Sequence, residues 1–424
     1  MKHIWAITLL IIMSVHSPNA AERHSEHFRM VLNGFIVEAL QKNPVILEAG
    51  NRISMLKEIP PQAGSLEDPM LELGLMNLPV DSFSFSQEAM TQKQLTITQK
   101  LPYPGKLDLK VRAANEDVNI AGQNLEDLKL KIVKEVKVAF FEYCFLKAAI
   151  ETTQRSKILL EQFITIAESK YSVGKGIQQD VLKAQVERSQ IIDDLIELNE
   201  KEEIEKGKLN SLMNRPPQAP LEIPHGLSRT QMNYSIEELQ AMAEENRPFL
   251  KGLRSAIEKY KIKKQLAEKE YYPDFNVGFR YGQREDSAVV EHPDFVSAFV
   301  GINIPIWHKT KQSKKVNEES FKIEMAREAY NKGKNRIDLQ IKTILERMKR
   351  NSKLIELIRK GIIPQARQSL ESALAGYSVD KVDFLTLLDN QVTLLNWEIK
   401  DHRELANYEQ NLANLENVVG QRMF

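Results

Sequence analysis

Apolar residues alternate with a period of two at two places in the chain. In FNVGFRYGQ, Phe275, Val277, Phe279 and Tyr281 fall on one side and Asn276, Gly278, Arg280 and Gly282 on the other; in FVSAFVGINIPIW, Val296, Ala298, Val300, Ile302 and Ile304 share a side. A weaker version lies about 200 residues earlier, with Leu71, Leu73 and Leu75 in PMLELGLMNLP and Leu95, Ile97 and Leu101 in KQLTITQKLPY. Each run has roughly the ten residues that cross a bilayer when tilted. The pattern predicts strands at about 69–79 and 93–103, and again at about 274–283 and 295–306, as two hairpins with polar loops between their members. A soluble antiparallel sheet with one wet face produces the same alternation. Four strands cannot close a barrel, and an open edge cannot persist in lipid. A membrane reading therefore requires several chains to pool strands, three chains supplying twelve.

Most of the remainder has helical periodicity. No proline occurs between Pro104 and Pro216, and a helix from Gly105 to Lys170 would extend roughly 100 Å at about 1.5 Å per residue. Leu385, Leu388, Val392, Leu395, Ile399, Ala406 and Ala413 follow coiled-coil steps of three, four or multiples of seven. The charged residues between them read as solvated faces. Helical hairpins are expected at about 105–213 and 307–420, and Pro364 should bend or break the second one.

The turns of both hairpins are written alike: AESKYSVGKGIQQDVLKAQ from Ala167 and ALAGYSVDKVDFLTLLDNQ from Ala373. Gly174 and Gly176 interrupt the first helical pattern, and Asp180 sits where an acid favours a helix N-terminus. Other markers recur in the same order: Pro44 and Pro248, Pro102 and Pro305, Tyr171 and Tyr377, Leu209 and Leu412 are 204, 203, 206 and 203 residues apart. One spacing held over the chain predicts two tandem structural repeats, 21–213 and 214–424.

Composition narrows the setting. Lys and Arg total 58 and Asp and Glu total 58 in 424 residues, a balance without the basic surface of a nucleic-acid binder. A mean hydropathy of -0.38 excludes a bundle of spanning helices, so membrane residence would have to be as a barrel. The first 20 residues show the charged, apolar and small-residue order of a signal peptide, with cleavage expected near Ala20 or Ala21. The lone cysteine, Cys144 in AFFEYCFLKAA, reads as a buried small residue. No local motif of catalysis is present, so no enzymatic activity and no cofactor are expected. His24 and His27 read as solvent-exposed rather than as metal ligands, and His292 and His308 as loop positions flanking a strand.

Together the exported start, the twofold repeat, the LPYPGK segment after a strand, the Tyr-Ser-Val-Gly turn and the Leu-Leu-Asp-Asn-Gln segment resemble the TolC family of outer-membrane efflux proteins. QKLPYPGKL is similar to the heavy-metal efflux, CzcC-like, branch. The resemblance spans essentially the whole mature chain. It implies a mainly α fold with membrane β: helical hairpins forming an α-barrel, and four strands per chain in a trimeric, 12-stranded outer-membrane β-barrel. It implies a homotrimer, a periplasmic adaptor protein, an inner-membrane pump of the resistance-nodulation-division type, and outer-membrane lipid as partners. The function implied is an exit duct for a tripartite efflux system, passing heavy-metal cations; a drug or peptide export duct of the same family and a soluble periplasmic coiled-coil scaffold are the rival readings. Carried over by position, the family's turn glycine falls on Gly174, its helix-starting acid on Asp180, its tip tyrosine on Tyr377, with Tyr171 at the matching place, and its gate aspartate on Asp389. Two residues depart from the family: Asp380 stands where glycine is usual, and Thr386 replaces a second acid.

Overall fold

The computed structural model describes residues 20–224 and 226–423, with side chains from Phe28 onward. The expected signal peptide, and the side chains of His24 and His27, lie outside the described residues. Three helices open the chain: α1 (Ala20–Lys42), α2 (Pro44–Lys57) and α3 (Ile59–Gly64). Strands β1 (Met70–Met76) and β2 (Gln92–Leu101) follow, then the long pair α4 (Lys106–Ser172) and α5 (Gln178–Leu212). After a connecting stretch come α6 (Ile236–Asn246), α7 (Pro248–Lys269), β3 (Phe275–Gln283) and β4 (Phe295–Ile302). The last group is α8 (Gln312–Leu357), a π turn (Ile358–Ile362), α9 (Ile363–Ser378) and α10 (Phe384–Val419).

Local chemistry sets these boundaries. Pro44 and Pro248 open α2 and α7 at the first turn, where a missing N–H costs nothing. The Asn43 side chain accepts from Val45 N at 3.0 Å while its amide donates to the Leu212 carbonyl at 2.9 Å, tying the start of α2 to the end of α5. Ser235 and Glu238 form a reciprocal capping box on α6. With 67 residues, α4 is about 100 Å long.

All four strands belong to one antiparallel sheet in the order β1-β2-β3-β4, so the two expected hairpins join through β2 and β3. Three strands stop earlier than the alternation alone suggested, at Met76, Leu101 and Ile302 rather than 79, 103 and 306. In each case polar or proline-containing sequence takes over: Asn77 has a positive φ of 55°, and Pro102 and Pro305 cannot donate to a ladder.

Pro364 does not break the second hairpin. Proline cannot donate to the carbonyl four residues back, and the chain widens into the π turn at 358–362 immediately before it, continuing as α9.

The core is divided along the helices. One cluster packs α1, α2, the middle of α4 and the end of α5 around Ile36, Phe140 and Leu209. A second packs α6, α7, α8 and α10 around Leu239, Ile341 and Leu415. A third, near the far end, joins α4, α5, α9 and α10 around Phe163, Tyr377 and Phe384. Cys144 packs against the first cluster, where burial pushes its thiol up to about 12 and leaves it unreactive.

The charged residues of α10 differ from the expectation of solvated faces. Asp401, Glu404, Glu409 and Glu416 are buried because α10 packs on both α4 and α8, which leaves little of its circumference wet. For the same reason its core extends beyond the expected single seam to Leu387, Leu405, Tyr408 and Leu412, while Leu385 is left exposed. Arg359 binds Asp401 at 2.8 Å, Arg350 and Asn351 engage Glu404, and Lys137 of α4 pairs with Glu416.

Glu409 accepts instead from Thr230 N at 2.7 Å and Thr230 Oγ1 at 2.9 Å, which fastens the connecting stretch to α10. Burial pushes its carboxyl up to about 7, against the lowering effect of Thr230 and of the Lys137 and Arg29 charges. A raised carboxyl favours the folded state fully below pH 4.5, and that contribution disappears as pH rises through about 7. Glu409→Gln is therefore expected to raise the melting temperature at pH 8.5, with the gap to wild type closing by pH 4.5. A thermal scan across pH checks this, and a gap that widens toward acid would contradict it.

Candidate functional site: sheet faces and helix tips

The ladder registers divide the sheet into two chemically different faces. Leu71, Ile97, Phe279 and Ala298 form one rung, and Leu73, Leu95, Tyr281 and Val296 the next. Val277 and Val300 continue the same face. These side chains are largely exposed, Leu73 at 77% and Val300 at 68%, so the chain presents an apolar face that it does not cover. The opposite face carries Glu72, Thr96, Arg280 and Ser297 in a single rung. There Arg280 donates to Thr96 at 3.1 Å and lies over the Phe299 ring. Phe299 lies directly over Gly278, where a side chain would collide with it. Strands β1 and β4 are sheet edges without partners among the described residues, and no described helix is long and apolar enough to cross a membrane.

The sheet is held onto the helices by the LPYPGK segment. Gly105 adopts a φ of 88°, which turns the chain so that Lys106 reaches Asp274 at 2.7 Å and the Tyr272 carbonyl at 3.2 Å. Tyr103 N donates to the same Asp274 oxygen at 2.8 Å, and the Tyr103 and Tyr272 rings stack 4.6 Å apart. This pair of elbows was not legible beforehand: the YYPD signal at 271–274 is visible, but only the fold brings it to Lys106.

At the opposite end are the two turns that the sequence writes alike. Gly174 has a φ of 74° and Asp380 one of 62°, so Asp380 takes the left-handed conformation of the glycine it replaces. Two hydrogen bonds of each turn correspond, Gly174 N to Tyr171 O and Lys175 N to Lys170 O in one and Asp380 N to Tyr377 O and Lys381 N to Gly376 O in the other, while Gly176 N adds a bond to Lys170 O in the first and Val379 N one to Gly376 O in the second. The starts of the following helices differ. Asp383 caps α10 by accepting from Thr386 N at 2.7 Å, whereas Ile177 provides no side-chain cap for α5 and Asp180 occupies its first turn.

The matching tyrosines have different surroundings. Tyr171 is half-exposed, whereas Tyr377 is buried against Phe384, 5.4 Å between ring centroids, with its hydroxyl lacking a partner. The second turn lies against α4. Lys170, a residue that sequence reasoning passed over, makes the link. Its Nζ donates to the Tyr377 carbonyl and the Asp380 carboxylate and lies 4.3 Å from the Tyr377 ring centre.

Carboxylates at and beside the tip are shifted in opposite directions. Lys170 holds the Asp380 carboxyl below its usual range. Asp180 is raised, first by partial burial and then by the charge of Asp383. Glu187 and Asp194 continue at steps of seven along α5, on one face, and are raised by burial and by neighbouring acids. Asp389 is exposed and lines a groove of about 880 Å³ between α5 and α10 with Leu182, Val186, Glu187 and Leu385. The structure thus joins Tyr377, Asp380, Asp180 and Lys170 at the tip. Tyr171 stands apart from them, and Asp389 lies farther along α10, on the groove. Among the described residues no group of three or more metal-ligating side chains occurs.

Residues 35–215 match the family model of the outer membrane efflux protein. That match covers a little under half of the chain. The cobalt-zinc-cadmium resistance protein CzcC of Cupriavidus metallidurans is 21% identical over 413 residues, covering 95% of this chain and 96% of that protein. The outer membrane protein VceC of Vibrio cholerae superposes with a TM-score of 0.77 at 19% identity, covering 93% of this chain and 98% of VceC. CusC superposes with a TM-score of 0.76 at 13% identity over 92% of each chain. Members of the outer membrane efflux family are channel proteins rather than enzymes, and the division of this chain into an apolar strand face and long helices follows that architecture.

Proposed function

We propose that the chain is one third of a passive outer-membrane exit duct for heavy-metal cations, built from two tandem repeats at 21–213 and 214–424. One observation carries the reading: a four-stranded sheet with two open edges and one uncovered apolar face is joined to helices about 100 Å long. Lipid covers such a face, and edge pairing between chains satisfies the open ladders. Ring closure of the helices follows the same logic, because α5 exposes Leu182, Val186, Ile196 and Ile204 while α8 exposes Phe321, Met325 and Leu339. These two stripes are the apolar margins that adjacent copies would bury.

The helical tips then lie deep in the periplasm, where the adaptor binds and hands over cargo from a resistance-nodulation-division pump. Adaptor binding shifts the tips from closed to open, and substrate choice resides in the pump. The likeness to a cobalt-zinc-cadmium resistance protein and the carboxylates at 180, 187 and 194 favour a cation path. Asp389 is the gate carboxylate in this reading, and Lys170 the latch that holds the second turn.

Planar-bilayer recordings test it together with metal tolerance. The purified protein should form pores of low resting conductance, Lys170→Ala and Asp389→Ala should each raise that conductance several-fold, and deletion should sensitise cells to divalent metals. Absence of pores would remove the duct. Pores with unchanged metal tolerance, and altered tolerance to drugs or loss of a secreted peptide, would reassign the cargo.

A further inference from the structure

The two strand-to-helix elbows differ in charge balance. At the first, Lys106 is neutralised by Asp274, and Asp108 stands in the opening turn of α4. At the second, the chain leaves β4 through Ile304-Pro305-Ile306-Trp307 and enters His308-Lys309-Thr310-Lys311. Ile304, Ile306 and Trp307 are 65% to 71% exposed and prolong the apolar strand face beyond the last ladder pair, Phe275 with Ile302.

The basic segment is folded. The Trp307 carbonyl accepts from Thr310 N at 3.1 Å, Thr310 Oγ1 at 3.2 Å and Lys311 N at 3.0 Å, and Ser313 N donates to the His308 carbonyl at 2.8 Å. Lys309, Lys311 and Lys314 are exposed, and no ion pair joins them to a carboxylate among the described residues, in contrast to Lys315, which meets Glu318 and Glu319. The first turn of α8 has no acid and no side-chain cap. Three lysines around the positive end of a long helix repel it and one another, a cost that a nearby anion removes.

We propose that residues 304–314 form a docking surface for anionic phospholipid headgroups of the periplasmic leaflet. This rests on the reading that the apolar strand face meets lipid. Ile304, Ile306 and Trp307 enter the boundary between headgroups and acyl chains, the depth that tryptophan favours, and Lys309, Lys311 and Lys314 take the phosphates. Charge complementarity and continuity with the apolar face select this occupant over a soluble partner.

The test uses tryptophan fluorescence. The sequence contains Trp5, Trp307 and Trp397, so Trp397→Phe in the signal-cleaved protein isolates Trp307. The protein is reconstituted into phosphatidylcholine vesicles containing, at equal mole fraction, brominated phosphatidylcholine or brominated phosphatidylglycerol. The expected result is quenching by both, about two-fold or more stronger with the anionic lipid at low salt, with the preference removed by 0.5 M salt, roughly a Debye length of a few ångströms, or by Lys309→Gln, Lys311→Gln and Lys314→Gln together. Equal quenching by the two lipids would overturn the headgroup surface while leaving the membrane duct intact. No quenching by either would overturn both.

Discussion

Gly174→Pro is expected to reduce metal tolerance to the level of a deletion strain while the assembled particle keeps its mass. Gly174 sits at a φ of 74°, whereas proline is held near about −65°. The substitution also removes the N–H that donates to the Tyr171 carbonyl at 3.0 Å. Both effects fall on the turn joining α4 and α5, remote from the sheet and from the first two core clusters. The lesion should thus remain local, appearing as faster hydrogen exchange over residues 170–180. Gly174→Ala retains the hydrogen bond and costs about 1–2 kcal/mol for left-handed backbone, so partial function is expected. Full tolerance in Gly174→Pro would show that this turn takes no part in export.

Lys137→Met should be among the most destabilising single changes in the chain. Lys137 and Glu416 are both buried, pairing α4 with α10 in the middle of the molecule. Removing the cation takes the charge partner from a buried carboxylate that keeps its bond from Met423 N at 2.9 Å, a change that costs up to about 3–5 kcal/mol. The double variant Lys137→Met with Glu416→Leu substitutes apolar contacts for the pair and should recover most of that loss. Denaturant midpoints of the four proteins in the double-mutant cycle measure this, and a double variant no better than Lys137→Met would contradict it.

The strands were legible because one face of β1, β3 and β4 is almost wholly apolar, which leaves a clean period of two, and the same face of β2, broken by Lys93 and Gln99, gave the weaker signal. In the observed sheet, Leu71, Leu73, Leu95, Ile97, Val277, Phe279, Val296 and Val300 all lie on that face. The tip turns were legible because a left-handed residue must be glycine or a close substitute, and Gly174 and Asp380 satisfy that demand. The interior of α10 was not legible. Its glutamates look like solvent-facing heptad positions until α4 and α8 are packed on both sides, and their partners Lys137, Thr230 and Arg350 come from distant segments. Lys170 was hidden for a related reason: in the sequence it is one lysine before Tyr171, and its link to Asp380 spans 210 residues. The difference between Tyr171 and Tyr377 likewise depends on which neighbouring helix each turn meets, which motif similarity does not encode.

The most direct measurement is the location and protein mass of the native particle. Envelopes are fractionated, the outer membrane is extracted with detergent, and light scattering with refractive-index correction gives the protein mass free of bound detergent. A particle released only by detergent, with three times the mass of the mature chain, is the expected result. A monomer recovered from the soluble periplasm would contradict it, because the open edges of β1 and β4 and the apolar strand face would then have no lipid and no second copy to cover them.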